Sequence, residues 1–453
     1  MRDVIRAYHD LLSNEQLAAD SQGMMDDLQG RQGLVFGGRP LCTVLRPRLT
    51  NHARHAWLQG RVRLLMRVFG KTYDAAIASP EFRRQFLLAD WEETLVRDDP
   101  GIRNPSPTSR LDTFIIDDDD EMKLTEYNAE TPAGAAYGDA LTDAFIDLPV
   151  MRAFARSYEV SPIPSRHGVL HVLLATYEEW LGRRELPRIA IVDWPDVPTV
   201  TEFEMYRDYF HSRGIECVIV DPRTAEYRNG RLSFGDDEPV DLIYKRVLIH
   251  ELVQQCGIDS PLVRAVRDRA VCMANGFRCK ILHKKASLAV LHDERNAHLF
   301  DAEELDAIRA SIPWTRVVAE RKTTVDGQQV DLLPFVAENR ERLVLKPNDE
   351  YGGKGIVLGW EVDDAEWRRA IATALAEPYI VQQRIALPTE AYPSLVDGKV
   401  IIADRMVDTA PYVAYGAHVD GCLTRLATAA LLNVTAGGGS QTPTFIAERR
   451  PYS

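Results

Sequence analysis

The stretch RLDTFIIDDDDEMKLTEYNAETPAG, residues 110–134, carries the strongest structural signal in the chain. Residues 110–116 and 123–128 alternate between polar and apolar side chains, which predicts the two strands of a β-hairpin. Between them lie five consecutive acids, 117–121, which look at first like a metal trap. Adjacent like charges repel one another unless water screens them, so we interpret this run as the exposed turn of the hairpin.

The predicted pairing brings a set of polar side chains to one face of the hairpin. Glu126 and Asn128 are two residues apart and therefore point to the same side of a strand. Asp112 lies across from them on the neighbouring strand, and Arg110 shares the face of Asp112. A surface hairpin with ordinary polar alternation would show the same pattern, so the rest of the sequence must decide between a site and a solvated surface.

Length and composition are typical of a folded protein with two or three lobes. The chain has 453 residues, of which 45% are hydrophobic and 27% charged. The net charge of −13 disfavours general binding to nucleic acid or to an anionic membrane, but it does not exclude a local phosphate site. The N-terminus lacks the apolar core of a signal peptide, and the six cysteines lack the spacing of a zinc site. We therefore expect a cytoplasmic protein with reduced thiols.

Changes in sequence texture predict three regions and a mixed fold of the α+β and α/β classes. Residues 1–160 hold a helical part and the hairpin of 110–128, and the segment SPIPSRHG near residue 160 is typical of a linker. Residues 161–275 follow a β-α-β rhythm, which predicts a parallel, Rossmann-like subdomain. That region has no glycine fingerprint for a dinucleotide, so we do not expect a nicotinamide site. Residues 276–453 form the third region.

A second chemical signal lies in LVLKPNDEYGGKGIVLG, residues 343–359. An apolar strand ends at Lys346, a glycine loop follows, and another apolar strand begins. An ammonium group neutralises phosphate charge, while glycine amides can approach phosphate without obstruction by side chains. The lysine precedes the glycines and a strand follows them, so this is not the phosphate loop of the strand–loop–helix NTPases. A tight hairpin in any β-sheet is the alternative.

Two further segments fit a nucleotide site. Lys284 and Lys285 stand at the start of an apolar helix, where a solvated basic helix end is the alternative interpretation. The strand YIVQQRI, residues 379–385, turns polar in its middle and can offer backbone groups to an adenine edge, although an ordinary edge strand would look the same.

The combination of lysine, glycine-loop hairpin and polar strand resembles the nucleotide-binding half of the ATP-grasp fold, which holds ATP between two α+β lobes. The stretch RLD followed by EYNAETPAG resembles the metal-binding half of that fold in carboxylate–amine ligases. Here it precedes the lysine and the glycine loop by more than 200 residues, the reverse of the usual order. The chain thus resembles the circularly permuted ATP-grasp proteins, which include glutathionylspermidine synthase, over about residues 110–446. It lacks the added amidase domain of the bifunctional enzymes.

The resemblance implies a role for each motif. It implies that the protein binds ATP and two Mg²⁺ ions, with Asp112, Glu126 and Asn128 as metal ligands. It implies that two lysines bind the ATP phosphates. One is Lys346, and the other is one of the adjacent pair Lys284 and Lys285, of which we favour Lys285.

Arg110 would contact the transferring phosphoryl group or the substrate carboxylate. Arg425 would do the same or form a structural pair with a nearby acid. The implied lid comprises Tyr351, Gly352, Gly353, Lys354 and Gly355, and the residues beside adenine are Gln382, Gln383 and Arg384. The stretch AGGGS, residues 436–440, is either a mobile loop of the site or a plain connector.

The function implied by this resemblance is an ATP- and Mg²⁺-dependent ligase that joins a carboxylate to an amine or a thiol. Such enzymes form an acylphosphate and release ADP and phosphate. The partners would be small-molecule or peptide substrates, with no match that identifies glutathione or spermidine. A kinase-type phosphotransferase and a non-catalytic nucleotide-binding protein are the alternatives. The oligomeric state is not predicted.

Overall fold

The computed structural model describes residues 1–36, 38–116, 121–236, 238–350, 352–428 and 439–451. The acidic residues 117–120 and most of AGGGS lie outside the described residues, so their predicted roles stay predictions. In the first region the elements are, in chain order, α1 (Arg2–Leu12), α2 (Glu15–Gln32), β1 (Val35–Phe36), β2 (Arg39–Pro40), β3 (Arg48–Thr50), α3 (His52–Ala78), α4 (Pro80–Arg83), a 3₁₀ turn (Arg84–Phe86), α5 (Asp90–Val96), β4 (Thr108–Ile116), β5 (Glu121–Asn128), α6 (Ala135–Asp147), α7 (Pro149–Phe154) and β6 (Tyr158–Pro162).

The middle region alternates helices and strands, as its sequence predicted. Its elements are α8 (Arg166–Leu181), β7 (Ile189–Val192), α9 (Val200–Ser212), β8 (Cys217–Val220), a 3₁₀ turn (Pro222–Thr224), β9 (Ala225–Arg228), β10 (Arg231–Phe234), β11 (Leu242–Lys245), α10 (Ile249–Cys256), α11 (Pro261–Arg267) and β12 (Cys272–Ala274). Strands β12, β11, β7 and β8 form a parallel sheet in that order, which confirms the predicted Rossmann-like arrangement.

The last region begins with short helices and ends in strands. Its elements are α12 (Cys279–His283), α13 (Ala286–His292), a 3₁₀ turn (Glu294–Leu299), α14 (Ala302–Ser311), β13 (Thr315–Val317), β14 (Lys322–Val325), β15 (Gln328–Asp331), α15 (Leu332–Glu338), a 3₁₀ turn (Arg340–Arg342), β16 (Leu343–Pro347), β17 (Val357–Leu358), α16 (Asp364–Ala376), β18 (Tyr379–Gln383), β19 (Thr389–Val396), β20 (Lys399–Ala414), β21 (His418–Ala427), β22 (Ser440–Thr442) and β23 (Thr444–Arg449).

The sheet that holds the predicted hairpin is built from both ends of the chain. Its strand order is β22-β21-β20-β4-β5, with β19 paired to β20. Residues 412–414 of β20 pair with β4, and most of residues 406–414 of β20 pair with β21 on its other side. This antiparallel pairing places the motifs near residues 110 and 425 on the two strands that flank β20, although more than 300 residues separate them in sequence.

A long helix supports the hairpin from its core side. Helix α3 begins after Asn51, whose side chain accepts a hydrogen bond from the backbone of Arg54 at 2.8 Å and so caps the helix. Val62, Leu65 and Phe69 recur at helical spacing, are fully buried and belong to the same hydrophobic cluster as the apolar face of the hairpin. The opposite, polar face of the hairpin is therefore left for the site.

The segment near residue 160 is more ordered than its linker-like sequence suggests. Ser161 and Pro162 belong to β6, which pairs with β23, and β23 in turn pairs with β3. The first and last predicted regions thus share two sheets. Among the described residues, no helix has both the length and the apolarity that a membrane crossing requires.

Candidate active site

A cavity of about 840 Å³ lies between the hairpin, β20 and β21 on one side and the sheet β13-β18-β16-β17 with its glycine loop on the other. Its size falls within the range of small-molecule sites. Most of the residues predicted from the sequence line it: Asp112, Glu126, Lys346, Gly352, Gly353, Gln382, Gln383, Arg384 and Arg425. The permuted order of the motifs thus places both predicted half-sites on one cavity.

The hairpin has the predicted pairing. Asp112 lies directly opposite Glu126, and Arg110 lies opposite Asn128. A β-bulge follows, because Thr113 pairs with Leu124 and leaves Thr125 as an extra residue. Owing to this bulge Thr125 and Glu126, although adjacent in sequence, both line the cavity.

Two arginines neutralise the first carboxylate of the site. The Nε of Arg110 donates to Asp112 Oδ1 at 2.7 Å, and an Nη of Arg425 donates to Asp112 Oδ2 at 2.8 Å. Burial alone would raise the pKa of the Asp112 carboxyl, but Arg110 and Arg425 outweigh it and hold that pKa well below its usual range. Asp112 is therefore a buried anion, as a cation ligand must be.

The two neighbouring lysines have different surroundings. Lys285 Nζ donates to Glu126 Oε1 at 2.9 Å and to the carbonyl oxygen of Glu350 at 2.7 Å. Lys284 Nζ instead lies 2.7 Å from a carboxylate oxygen of Glu92 and 2.8 Å from one of Asp349. The contact with Glu126 favours Lys285, as expected, for a role in the site.

Lys346 lines the cavity, and its hydrogen-bond partners among the described residues are all neutral. Its Nζ donates to Gln382 Oε1 at 2.7 Å and to the carbonyl oxygen of Thr125 at 3.4 Å. Burial, with a smaller contribution from the Lys285 ammonium, lowers the pKa of Lys346 to about 8 against the opposing attraction of Glu126. The described residues thus leave the charge of this buried ammonium without an acidic hydrogen-bond partner. An anionic ligand would bind favourably there, because it would neutralise that charge.

The polar strand contributes in two ways. The side chain of Gln382 is engaged at both ends, because its Nε2 also donates to Thr315 Oγ1 at 3.0 Å. Gln382 therefore holds Lys346 in place, and its predicted position beside adenine stays a prediction. Gln383 and Arg384 line the cavity, and the guanidinium of Arg384 lies 4.2 Å from the centre of the Trp360 ring.

The glycine loop has the backbone that only glycine adopts readily. Gly353 and Gly355 have φ angles of +80° and +72°, and a Cβ on Gly355 would lie 2.7 Å from Pro347 Cγ. Lys354 is directed to solvent, with 78% of its side chain exposed, and lies 3.5 Å from Glu350. The structure thus brings Gly352 and Gly353 to the cavity and leaves Lys354 outside it, while Tyr351 lies outside the described residues.

The residues present fit an Mg²⁺ ion with an attached phosphate. Asp112 and Glu126 offer carboxylate oxygens, and the amide of Asn128 adds a neutral ligand. Among the described residues, the buried amide nitrogen of Asn128 has no hydrogen-bond partner. A half turn of an amide exchanges its nitrogen and oxygen, so this position can present an oxygen to a cation.

The sequence did not indicate every residue of the cavity. Asp408, in the middle of β20, is 1% exposed and pairs with Arg425, and burial, which outweighs Arg425, raises the pKa of its carboxyl. An aspartate within the mostly apolar stretch of residues 406–414 was the signal that could have found it. Trp360 follows the glycine hairpin and gave no signal, because one tryptophan after a turn is ordinary core or surface.

Comparison with known proteins gives the site its context. The family described as circularly permuted ATP-grasp type 2 matches residues 113–427. Putative glutamate–cysteine ligase 2-3 of Frankia alni is 28% identical over 384 residues, which cover 77% of this chain and 40% of the relative. Putative glutamate–cysteine ligase 2-2 of Frankia casuarinae is 27% identical over 341 residues, which cover 70% of this chain and 36% of the relative. The chain therefore spans two fifths or less of the length of these relatives.

Among solved structures, a glutathione synthetase-like effector from Globodera pallida, in its apo form, superposes with a TM-score of 0.59 at 12% identity. The match covers 94% of this chain and 96% of that one, so the two proteins share a fold. The permuted fold class that the inverted motif order predicted is confirmed. The chain belongs to the circularly permuted ATP-grasp type 2 family.

Proposed function

We propose that this protein is an ATP- and Mg²⁺-dependent ligase that joins a carboxylate to an amine, or to a thiol, through an acylphosphate. The observation that carries the proposal is the cavity itself. Two carboxylates, Asp112 and Glu126, face it from the hairpin, and Lys346 reaches it from the nucleotide side with no acidic partner among the described residues. The family and the names of the two relatives support an ATP-dependent ligase as the class.

Asp112, Glu126 and Asn128 would hold Mg²⁺, two ions in this proposal. The cation, when bound, neutralises phosphate charge and orients the triphosphate. Lys285 already contacts Glu126, so the same ammonium can serve a phosphate oxygen beside the metal ligands. Lys346 would neutralise a second phosphate position, since its only contacts in the described part of the chain are neutral oxygens.

The arginines would act on the acceptor. In the first step a substrate carboxylate oxygen forms a bond to the γ-phosphorus of ATP while the bond from that phosphorus to the β,γ-bridging oxygen breaks, which yields the acylphosphate and ADP. In the second step the amine nitrogen attacks the acyl carbon, phosphate leaves and the amine loses a proton. Arg425 lines the cavity beside Asp112 and Arg110 contacts the same carboxylate, so these guanidinium groups would hold the reacting carboxylate or the transferring group.

The glycine loop would shield the acylphosphate from water. Gly352 and Gly353 line the cavity, and the lid in this proposal runs from Tyr351 to Gly355. Its stem is fixed, because the backbone of Lys285 donates to the Asn348 carbonyl at 2.9 Å. The backbone of Gln383 and Arg384 would contact adenine, with Trp360 near the same end of the cavity.

The names of the two relatives support a substrate class for this protein. Both are named as putative glutamate–cysteine ligases, so we propose that at least one substrate is an amino acid or a short peptide. We propose a cytoplasmic location, where ATP is available.

The test is a screen for ADP release over pairs of amino-acid carboxylates and amines, with mass spectrometry of each product. ADP together with a product of the mass expected for dehydrative coupling supports the ligase. A phosphorylated product without amide would establish the kinase-type alternative, and AMP with pyrophosphate would contradict the acylphosphate. Lys346→Ala should abolish turnover, whereas Lys399→Ala, at an exposed position outside the cavity lining, should not. Full turnover by Lys346→Ala would refute the site.

A further inference from the structure

Asp408 is a buried carboxylate of the cavity wall to which the roles above assign nothing. It lies directly opposite Arg425 in the pairing of β20 with β21. Its Oδ1 accepts from the backbone N–H of Arg425 at 2.9 Å, and its Oδ2 accepts from the Nε of the same residue at 2.7 Å. An Nη of Arg425 donates to Oδ2 as well. Both carboxylate oxygens of Asp408 are thus used to fix one arginine.

That arginine also contacts the first metal ligand of the proposed site. The Nη of Arg425 donates to Asp112 Oδ2, and Arg110 donates to both oxygens of Asp112. Both oxygens of Asp112 therefore have guanidinium partners before any cation binds. A cation at Asp112 must compete with these two charges.

The negative charge of Asp408 reduces the competition between the two arginines and a cation for Asp112. Arg110 and Arg425 carry two positive charges, and Asp112 and Asp408 carry two negative charges when ionised. Without Asp408 the cluster would carry a net positive charge, and Arg425 would lose three hydrogen bonds and keep Asp112 as its only acidic partner among the described residues. Like charges within a few ångströms in a buried site disfavour the entry of a divalent cation.

We propose that Asp408 is a positioning residue that holds Arg425 in place and balances its charge, so that Asp112 stays available to a divalent cation. Asp408 itself touches neither the substrate nor the cation. This inference rests on the proposed function, because it takes Asp112 to be a metal ligand.

The test measures cation binding rather than turnover. Mn²⁺ affinity is determined by electron paramagnetic resonance at a saturating concentration of a non-hydrolysable ATP analogue. We expect Asp408→Asn to weaken Mn²⁺ binding by about tenfold or more. Asp408→Glu, which keeps the charge, should bind Mn²⁺ within about threefold of the original protein. The matched control is Asp404→Asn, an exposed aspartate on the same strand, which should change nothing.

A double substitution keeps the inference testable if Asp408→Asn alone does not fold. In Asp408→Asn/Arg425→Gln the released arginine is gone and Arg110 still balances Asp112, so Mn²⁺ affinity should return to within about threefold of the original protein. Folded Asp408→Asn with unchanged Mn²⁺ affinity would overturn the inference. So would a double variant that binds Mn²⁺ about tenfold more weakly than the original protein.

Asp112→Asn distinguishes a failure of the proposed metal site from a failure of the positioning role of Asp408. If Asp112→Asn abolishes Mn²⁺ binding while Asp408→Asn leaves it intact, the positioning role is wrong and the proposed metal site stands. If Asp112→Asn also leaves Mn²⁺ binding intact, the metal site itself is wrong, and the positioning role is wrong with it.

Discussion

Two networks of buried charges contact the glycine-loop stem, and they differ in how their lysines are paired. The cavity network consists of Arg110, Asp112, Asp408 and Arg425 and the pair formed by Glu126 and Lys285, with Lys346 and Asn128 beside them. The inner network consists of Glu92, Glu130, Lys280, Lys284 and Asp349. In the inner network each lysine contacts at least two acids. On the cavity side Lys346 contacts none among the described residues, and the Asn128 amide nitrogen has no hydrogen-bond partner there.

A binding site differs from structural ion pairs in the pairing of its charged groups. Both networks are buried and both contain carboxylates within reach of lysine, so residue type and burial do not distinguish them. A metal at Glu130, His283 and Asp349 would have to displace Lys280, whose Nζ lies 3.2 Å from Glu130 and 2.6 Å from Asp349. Lys346, whose hydrogen-bond partners among the described residues are all neutral, lines the open volume of the cavity, and such a group indicates where a ligand completes the structure.

The largest effect is expected from breaking the inner network. Lys280→Met leaves Glu130 and Asp349 buried with less neutralising charge, so the free energy of unfolding should fall by about 3–5 kcal/mol. Urea unfolding followed by circular dichroism measures it. Lys399→Met, at an exposed position, is the control and should leave the unfolding midpoint unchanged. A loss below about 1 kcal/mol for Lys280→Met would mean that the inner network is not structural.

The second prediction applies the same kind of change to the cavity side. Glu126→Gln keeps an acceptor for Lys285 but removes the negative charge that would hold the cation. We expect ATP turnover to fall by about 10²–10³-fold or more while the unfolding midpoint stays within a few degrees of the original. Glu121→Gln, on the same strand and outside the cavity of the site, is the matched control. If Glu126→Gln unfolds the protein and Lys280→Met does not, the two networks have been assigned the wrong way round.

Local sequence patterns predicted what depends on local spacing. The two-residue period of the hairpin placed Asp112 opposite Glu126, and the structure has that pairing. The order of lysine, glycine loop and strand gave the elements β16 and β17. The β-bulge at Thr125 was not predicted, although the apolar positions of β5 change phase there, from Met122 and Leu124 to Tyr127.

The remaining features depend on contacts between distant segments. Lys280 meets Glu130 and Asp349, which lie 150 and 69 residues away in sequence, and no period in the chain records such a meeting. The residues near 160 read as a linker because two prolines mark a break, yet the strand they form is stabilised by β23 at the other end of the chain. The choice between Lys284 and Lys285 stayed open for the same reason.

The third prediction uses these adjacent lysines, which belong to different networks. Lys284 has a non-helical ψ of 131° between α12 and α13, so consecutive side chains leave in different directions. Lys285→Met should weaken binding of an ATP analogue by about 10–100-fold. Lys284→Met should instead lower the unfolding midpoint and leave the affinity within about threefold. Calorimetric titration with thermal unfolding of both variants decides it, and equal losses of affinity would contradict the separation.

The last prediction concerns pH, where Lys346 should affect binding and stability with opposite signs. Burial lowers the pKa of Lys346 from 10.5 to about 8. Only the ammonium form attracts phosphate, so affinity for an ATP analogue should be flat below pH 8 and fall by up to about tenfold per pH unit above it. Between pH 8 and 10.5 the unfolded chain binds more protons at this residue than the folded one, so the contribution of Lys346 to stability should rise with pH.

Lys346→Arg and Lys346→Met separate these two effects. Arginine stays charged throughout this range, so the decline in affinity above pH 8 should disappear in Lys346→Arg. In Lys346→Met the rise in stability relative to the original protein should disappear, because no proton is exchanged at that position. Calorimetric titration and urea unfolding between pH 7 and 10 measure both. If affinity and stability both stay flat between pH 7 and 10, the pKa of Lys346 is not lowered, and Lys346 is paired with an acid in solution like the structural ion pairs of the inner network.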